Sequence, residues 1–95
     1  MAVGDIVSGL SSVASGAYLD LRPSAGMEWV LHNIYYGGRV EISFYDGSNE
    51  VVFEVDSGPG SLRWEEFHCT NSLRIRVKNV SGGAIYIGYD GVQTK

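Results

Sequence analysis

Most of the chain alternates between apolar and polar residues with the two-residue period of a β-strand. The alternation starts at Ala17 and is broken roughly every 8–12 residues by turn-forming Gly, Asn, Asp, Ser or Pro. Successive side chains of a strand point to opposite faces, so this period buries one face and exposes the other. No stretch has a convincing helical period. We therefore predict an all-β fold, a small antiparallel, jelly-roll-like β-sandwich of about seven or eight short strands.

Individual segments predict which side chains point inward. "MEWVLHNIYY" carries apolar residues on both faces, with Trp29, Leu31 and Tyr35 on one and Ile34 and Tyr36 on the other, which is typical of a central strand. "LRWEEFHCT" is the least regular segment, and its pattern indicates a bulge. The inward sets predicted for the three most regular segments are Val40, Ile42 and Phe44; Val51, Phe53 and Val55; and Leu73, Ile75 and Val77.

Residues 1–16 differ from the remainder of the chain. They read "MAVGDIVSGLSSVASG", are rich in Gly and Ser, and carry a single charge at Asp5. Two interpretations are open, an extended or loosely held N-terminal arm and an edge strand of the sandwich. Residues 17–95 form the β-sandwich domain, and 95 residues are enough for one domain only.

Composition limits the classes of partner. Charged residues make up 19% of the chain, compared with about 25% in typical soluble domains, so the surface is lightly charged and suited to lying against another molecule. The net charge of −4 argues against nucleic acid as a partner. No apolar run approaches the ~18 residues of a membrane span, so no membrane partner is expected. Burial of more apolar surface between subunits would stabilise so short a chain, which favours a homo-oligomer.

Residues with catalytic chemistry are few and badly spaced. His68 and Cys69 are neighbours on a predicted strand, as are Glu65 and Glu66, and strand neighbours point to opposite faces. Neither a nucleophile–base pair nor a carboxylate pair follows from such positions. The lone cysteine is expected to be a buried apolar residue, and the aspartates and asparagines lie in turns that explain them without calcium. We predict no enzymatic activity, no cofactor and no metal site.

The most conspicuous polar feature is a basic row on one predicted strand. Arg74, Arg76 and Lys78 share a face of "LRIRVKN". One interpretation is a solvated sheet face balanced by acids on neighbouring strands. The other is a patch that registers an acidic neighbour in an assembly. The candidate balancing acids are Glu41, Glu54 and Glu65.

Aromatic residues form a second candidate surface. The chain has two Trp, six Tyr and three Phe, more than one small core can hold. Exposed aromatic side chains anchor protein interfaces and can serve as platforms for sugar rings. The residues predicted for this role are Tyr36, Tyr45, Trp64, Tyr86 and Tyr89.

Several longer motifs resemble a known group of proteins. These are "LDLRPSAG", the pattern W-x-x-x-N-I from Trp29 to Ile34, and T-N-x-x-x-I-R-V-K-N from Thr70 to Asn79, within a similarity that spans residues 16–95. They resemble the small β-sandwich structural proteins of tailed-bacteriophage virions, of the head-decoration or capsid-stabilising type. The motifs describe strands and turns and specify no catalytic site.

The resemblance implies a non-enzymatic virion structural protein, most simply a capsid decoration or stabilising protein. It implies a homotrimer that is made in the host cytoplasm and binds the major capsid protein, or another virion protein, at the capsid surface. A small tail or fibre module is an alternative within the virion. A carbohydrate-binding β-sandwich, with Trp64 or Tyr86 as its platform, is the alternative outside that class.

Overall fold

Nine strands form the structure, a computed structural model that describes residues 2–95. The predicted all-β sandwich is confirmed, with nine strands rather than seven or eight, and no helix occurs among the described residues. The strands are β1 Ile6–Val13, β2 Tyr18–Leu21, β3 Glu28–Tyr36, β4 Val40–Tyr45, β5 Glu50–Asp56, β6 Gly60–Leu62, β7 Phe67–Thr70, β8 Arg74–Asn79 and β9 Ile85–Gln93.

The strands make two antiparallel sheets. In the five-stranded sheet the order is β1-β9-β3-β6, and β7 also pairs with β3. In the four-stranded sheet the order is β2-β8-β4-β5. The predicted central position of β3 is confirmed. The irregular segment "LRWEEFHCT" is interrupted rather than merely bulged, because residues 63–66 leave the sheet between β6 and β7.

Between the sheets lies one apolar core. Strict alternation predicts its members correctly in the middle of β4 and β8, where Val40, Ile42, Ile75 and Val77 are buried. Leu73 was predicted to point inward but is exposed, because β8 begins one residue later and Leu73 belongs to the preceding turn. The fully buried large side chains of the core include Leu21, Leu31, Ile34, Ile42, Ile75 and Ile87.

The N-terminal segment supplies an edge strand. Met1 lies outside the described residues. Residues 2–16 contain the edge strand of the second interpretation, since β1 pairs with β9 from Ile6 opposite Val92 to Val13 opposite Ile85. Gly9 fits the ring of Tyr89 across this ladder, because a Cβ atom at Gly9 would lie 2.7 Å from the nearest ring carbon. The segment is therefore packed on its own sheet and does not project as an arm.

Asn79, the last residue of the T-N-x-x-x-I-R-V-K-N motif, has a structural role. Its side chain is fully buried, and its amide nitrogen donates to the carbonyl oxygens of Val13 and Gly83, each at 2.8 Å. Its amide oxygen accepts from the backbone N–H of Ser81 at 2.9 Å. A buried amide with its partners satisfied ties the end of β1 to the β8–β9 turn.

A β-bulge changes the phase of β3. Leu31 pairs with Gly91 and Asn33 pairs with Asp90, so His32 is an extra residue in the ladder. A bulge of this kind turns the following residues to the opposite face.

The β3 bulge corrects the predicted faces of that strand. Trp29 and Leu31 point into the core before it, and Ile34 and Tyr36 point into the core after it. Uninterrupted alternation had placed these two pairs on opposite faces. Tyr36, predicted as a surface aromatic, is consequently buried, while Tyr35 is exposed.

A second bulge changes the phase of β5. Ile42 pairs with Glu54 and Ser43 pairs with Val52, so Phe53 is the extra residue. Residues that pair across a ladder point to the same face. The bulge therefore reverses the faces of the last residues of β5.

The reversal exposes one apolar residue and turns one acid inward. Val55 lies opposite Glu41 on the outer face and is exposed, so its predicted inward position is wrong. Asp56 lies opposite the buried Val40 instead. There its carboxylate accepts a 2.7 Å hydrogen bond from the hydroxyl of Tyr36, which joins the two sheets.

The hydrogen bond between Tyr36 and Asp56 predicts that the free energy of unfolding falls at alkaline pH. Burial, followed by the bond to Asp56, raises the pKa of Tyr36 from 10.0 to about 12. A raised folded-state pKa favours the neutral phenol, so its stabilisation is complete below pH 10 and is lost as the pH rises through about 12. We expect the free energy of unfolding to fall more steeply in this window for the wild type than for Tyr36→Phe, measured by urea denaturation. Parallel profiles for the two proteins would contradict the assignment.

Candidate functional site

The predicted basic row is largely neutralised within the chain. Arg76 Nε lies 2.9 Å and Arg74 Nε 3.6 Å from the carboxylate of Asp20, which β2 places directly opposite Arg76. Of the three predicted balancing acids, Glu41 lies opposite Lys78 in the β4–β8 ladder, while the partner of both arginines is Asp20. Asp20 was missed because alternation within one strand does not show which strand will be its neighbour.

Two tyrosines complete the cluster around Arg76. Its guanidinium carbon lies 3.7 Å from the ring centroids of both Tyr18 and Tyr45, and that of Arg74 lies 4.7 Å from Tyr45. In these cation–π contacts the guanidinium groups cover the faces of the rings, and the attraction to the rings partly satisfies the charge of the arginines. Lys78 is exposed next to this cluster. The row is thus a packed outer face of the four-stranded sheet, in which Lys78 alone is an exposed cation.

The role of Asp20 can be measured through stability. Asp20→Asn is expected to lower the free energy of unfolding by ~1–3 kcal/mol, because two mostly buried guanidinium groups lose a charged partner. Glu28→Gln is the matched control, since Glu28 and Lys95 are well exposed and 3.8 Å apart, a pair that contributes about 0–1 kcal/mol. Urea denaturation compares the two variants. Equal losses would show that Asp20 does not hold the cluster.

The five predicted aromatic residues divide by burial. Tyr36 is buried, Tyr45 packs on the arginines, and Tyr89 stacks on Trp29 with 6.0 Å between ring centroids. The prediction of surface positions is therefore wrong for Tyr36. Tyr86 and Trp64 are the freely accessible ones, with 65% and 90% of their surface exposed.

Exposed apolar side chains lie along both faces of β5. This strand is the outermost of the four-stranded sheet and pairs with β4 alone. Its four apolar side chains are between 42% and 65% exposed, although Val51 and Phe53 were predicted to be core residues. We call Val51, Val52, Phe53 and Val55 the β5 edge.

The inner side of the β5 edge borders an open groove. The groove has a volume of about 450 Å³, and Phe53 contacts Phe67 of β7 across it with ring centroids 5.5 Å apart. Phe44, a predicted core residue, is exposed here because the strands of the opposite sheet do not cover it. The lining residues are Phe44, Val51, Phe53, Glu66, Phe67, His68 and Ile75.

A second concavity lies on the outer face of the five-stranded sheet. It has a volume of about 620 Å³, and we call it the Trp64 groove. Its polar lining is formed where the β3 bulge meets β9 and the loop of residues 63–66. The lining residues are Ile6, His32, Asn33, Trp64, Glu65, Glu66, Asp90 and Gly91.

A hydrogen-bond network fixes the floor of this groove. The side-chain amide of Asn33 donates to one carboxylate oxygen of Asp90 at 2.6 Å, and the hydroxyl of Tyr35 donates to the other at 2.8 Å. The bond to Asp90 raises the pKa of Tyr35. The amide oxygen of Asn33 accepts the backbone N–H of Trp64 at 3.1 Å. Asn33 therefore connects the sheet to the loop that carries the indole.

His32 holds the same loop from the other side. Its backbone carbonyl accepts the N–H of Glu65 at 2.9 Å, and its Nδ1 lies 2.9 Å from the carbonyl oxygen of Glu65. A carbonyl oxygen can only accept, so Nδ1 carries the proton and Nε2 of the neutral ring is an acceptor. Both residues that hold the loop, His32 and Asn33, come from the β3 bulge.

Trp64 has an unfavourable backbone conformation. Its φ of +65° is the single positive value at a non-glycine residue in the described part of the chain. For a bulky side chain this conformation is strained, and strain of this kind persists where surrounding contacts impose it. The hydrogen bonds to Asn33 and His32 supply those contacts, and they hold the indole in solvent.

The strain predicts an order of stabilities at position 64. Trp64→Gly is expected to be about 0.5–1 kcal/mol more stable than Trp64→Ala, because glycine accepts positive φ without a Cβ clash but is more flexible when unfolded. Urea denaturation of both variants tests this. An alanine variant as stable as the glycine variant would mean that residue 64 has an ordinary φ in solution.

Other chemistry is limited among residues 2–95. No group of three or more His, Cys, Asp or Glu side chains is placed to hold a metal ion. Cys69 is buried as predicted, and burial raises the pKa of its thiol to about 11, so it is protonated at neutral pH. In the same range there is no helix long and apolar enough to cross a lipid bilayer.

Neither a protein-family model nor a curated protein matches the chain. The exposed surfaces and the sequence motifs are therefore the basis for assigning a function.

Proposed function

We propose that this chain is a non-enzymatic structural protein of a bacteriophage virion, acting as a capsid decoration or stabilising protein. The motifs at residues 16–95 supply the class, and the β5 edge is the observation that carries the proposal. An exposed apolar surface of this kind marks a site of interaction in a soluble protein.

The β5 edge has some of the features that keep sheet edges apart but is not covered. Natural edge strands carry charged residues or proline, contain bulges or are covered, because their free backbone groups attract other strands. The segment "EVVFEVD" has a bulge at Phe53 and three acidic residues, but no lysine or proline. Its apolar side chains are exposed along most of its length, which suits them to contact with another subunit.

The acidic residues of β5 disfavour a two-fold symmetric contact between two copies of this strand. If two copies paired antiparallel through β5 about Phe53, Glu50 of each copy would lie opposite Asp56 of the other. Like charges directly opposite are destabilising, so two-fold pairing is disfavoured. A contact between different surfaces of neighbouring copies avoids this, and a homotrimer forms where the rotation between copies closes the ring.

A trimer also suits attachment to a capsid. Three copies present three identical weak contacts to a shell, and after the first contact the others form at high effective concentration. The lightly charged surface, with 19% charged residues, places few hydrated groups in such contacts. On this proposal the partners are further copies of the chain and the major capsid protein.

Assembly is tested by placing charge on the β5 edge. The double variant Val52→Lys, Val55→Lys is expected to stay folded, because both side chains are on the outer face, yet to become monomeric and lose capsid binding. Ser48→Lys is the control, with one added lysine in the exposed turn that precedes β5. Light scattering measures the mass, and co-sedimentation with empty capsids of the same virus measures binding.

The wild type and Ser48→Lys are expected to be trimeric and to sediment with capsids. Sedimentation with purified tails in place of capsids would move the proposal to a tail or fibre module. A wild-type monomer with affinity for neither would remove the basis of the proposal.

A further inference from the structure

We propose that the Trp64 groove is a binding site for a neutral saccharide, with the indole of Trp64 stacked on a pyranose ring. The site is on the outer face of the five-stranded sheet. None of the four β5 edge residues lines it, although Glu66 lines both this groove and the one beside the β5 edge. This inference therefore does not depend on the virion proposal.

The indole of Trp64 is held in an exposed position. Trp64 is 90% exposed, although burial of a tryptophan side chain is strongly favourable. This exposure does not result from a flexible loop, since the backbone N–H groups of Trp64 and Glu65 donate hydrogen bonds to Asn33 and His32. The fold thus holds a large apolar plane in water, next to Ile6, and none of residues 2–95 covers it.

The groove beside the indole offers hydrogen-bond acceptors. Each carboxylate oxygen of Asp90 receives one hydrogen bond and keeps capacity for another. In the neutral form of His32, Nε2 is an acceptor, because Nδ1 donates to the carbonyl of Glu65. An apolar plane beside prearranged acceptors is complementary to a sugar, whose ring has an apolar face and whose hydroxyl groups are donors.

Charge decides between classes of sugar. The carboxylates of Glu65, Glu66 and Asp90 line the groove, so a sialic or uronic acid would meet like charge. The volume of about 620 Å³ falls within the range of roughly 300–1,000 Å³ that is usual for small-ligand sites.

Tryptophan fluorescence gives a direct readout. Trp29 is only 8% exposed, so a ligand in the groove should alter the emission of Trp64 alone. An array of immobilised neutral gluco-, galacto-, manno- and N-acetylglucosamine oligosaccharides, with sialylated and uronic acid counterparts, is probed with the full chain. The free form of the best oligosaccharide is then titrated, alongside choline as a cationic probe.

The expected result is saturable binding of a neutral oligosaccharide, with weaker binding of its acidic counterparts and none of choline. We expect Trp64→Gly to lose binding at least tenfold while remaining folded, and Asp90→Asn to weaken it by a similar factor. Tyr86→Ala is the matched control, because Tyr86 is an exposed aromatic residue on the same face of the same sheet, and its binding should equal that of the wild type.

Three results would overturn the inference. They are no glycan binding, binding that survives Trp64→Gly, and a preference for choline or for acidic glycans. If no glycan binds and Trp64→Gly converts an oligomer to monomers, Trp64 is an interface residue instead. Because the β5 variants test assembly separately, failure here leaves the proposed function standing.

Discussion

The hydrogen bond between Tyr36 and Asp56 joins the two sheets at a point that each partner reaches only because its strand contains a bulge. In β3 the extra residue is His32, and Tyr36 follows it into the core. In β5 the extra residue is Phe53, and Asp56 follows it to the inner face. With uninterrupted alternation the phenol and the carboxylate would each point away from the other sheet. The two changes of phase are therefore coupled through one 2.7 Å contact.

The same two bulges produce the two surfaces to which we assign function. The β3 bulge turns Asn33 outward to Asp90 and to the backbone of Trp64, and this arrangement builds the floor of the Trp64 groove. The β5 bulge turns Val55 outward beside Val52 and thereby extends the β5 edge on its outer side. Bulges commonly re-aim side chains beside functional sites, and in this chain they do so on both sheets.

The alternating sequence pattern was sufficient to predict the β-sandwich, because each strand of a sandwich buries one face and exposes the other. Val40, Ile42, Ile75 and Val77 lie where the two-residue period places them. It was insufficient after each bulge, since one unpaired residue reverses the faces of all that follow without changing the composition of the strand. One trace of the first bulge is in the sequence of the partner strand. Gly91 faces Leu31 beside the bulge, and a Cβ atom there would overlap the carbonyl oxygen of Val30.

The candidate sites depended on pairings that a single strand cannot show. The basic row was visible as Arg74 and Arg76, but its neutralisation required knowing that β2 brings Asp20 beside them. Trp64 was identified as an aromatic platform from composition alone. Its positive φ and its connection to Asn33 arise from contacts between residues 31 positions apart in the chain, which local pattern does not encode.

A double-mutant cycle between Tyr36→Phe and Asp56→Ala measures whether the phenol and the carboxylate interact in solution. Urea denaturation of the wild type, both single variants and the double variant gives the coupling between the two side chains. If both bulges are present in solution, the two losses of stability are not additive, and the second substitution costs little once the first is made. Strictly additive losses would show that the phenol and the carboxylate do not meet between the sheets. The two bulges would then not have the phases that form the β5 edge and the Trp64 groove.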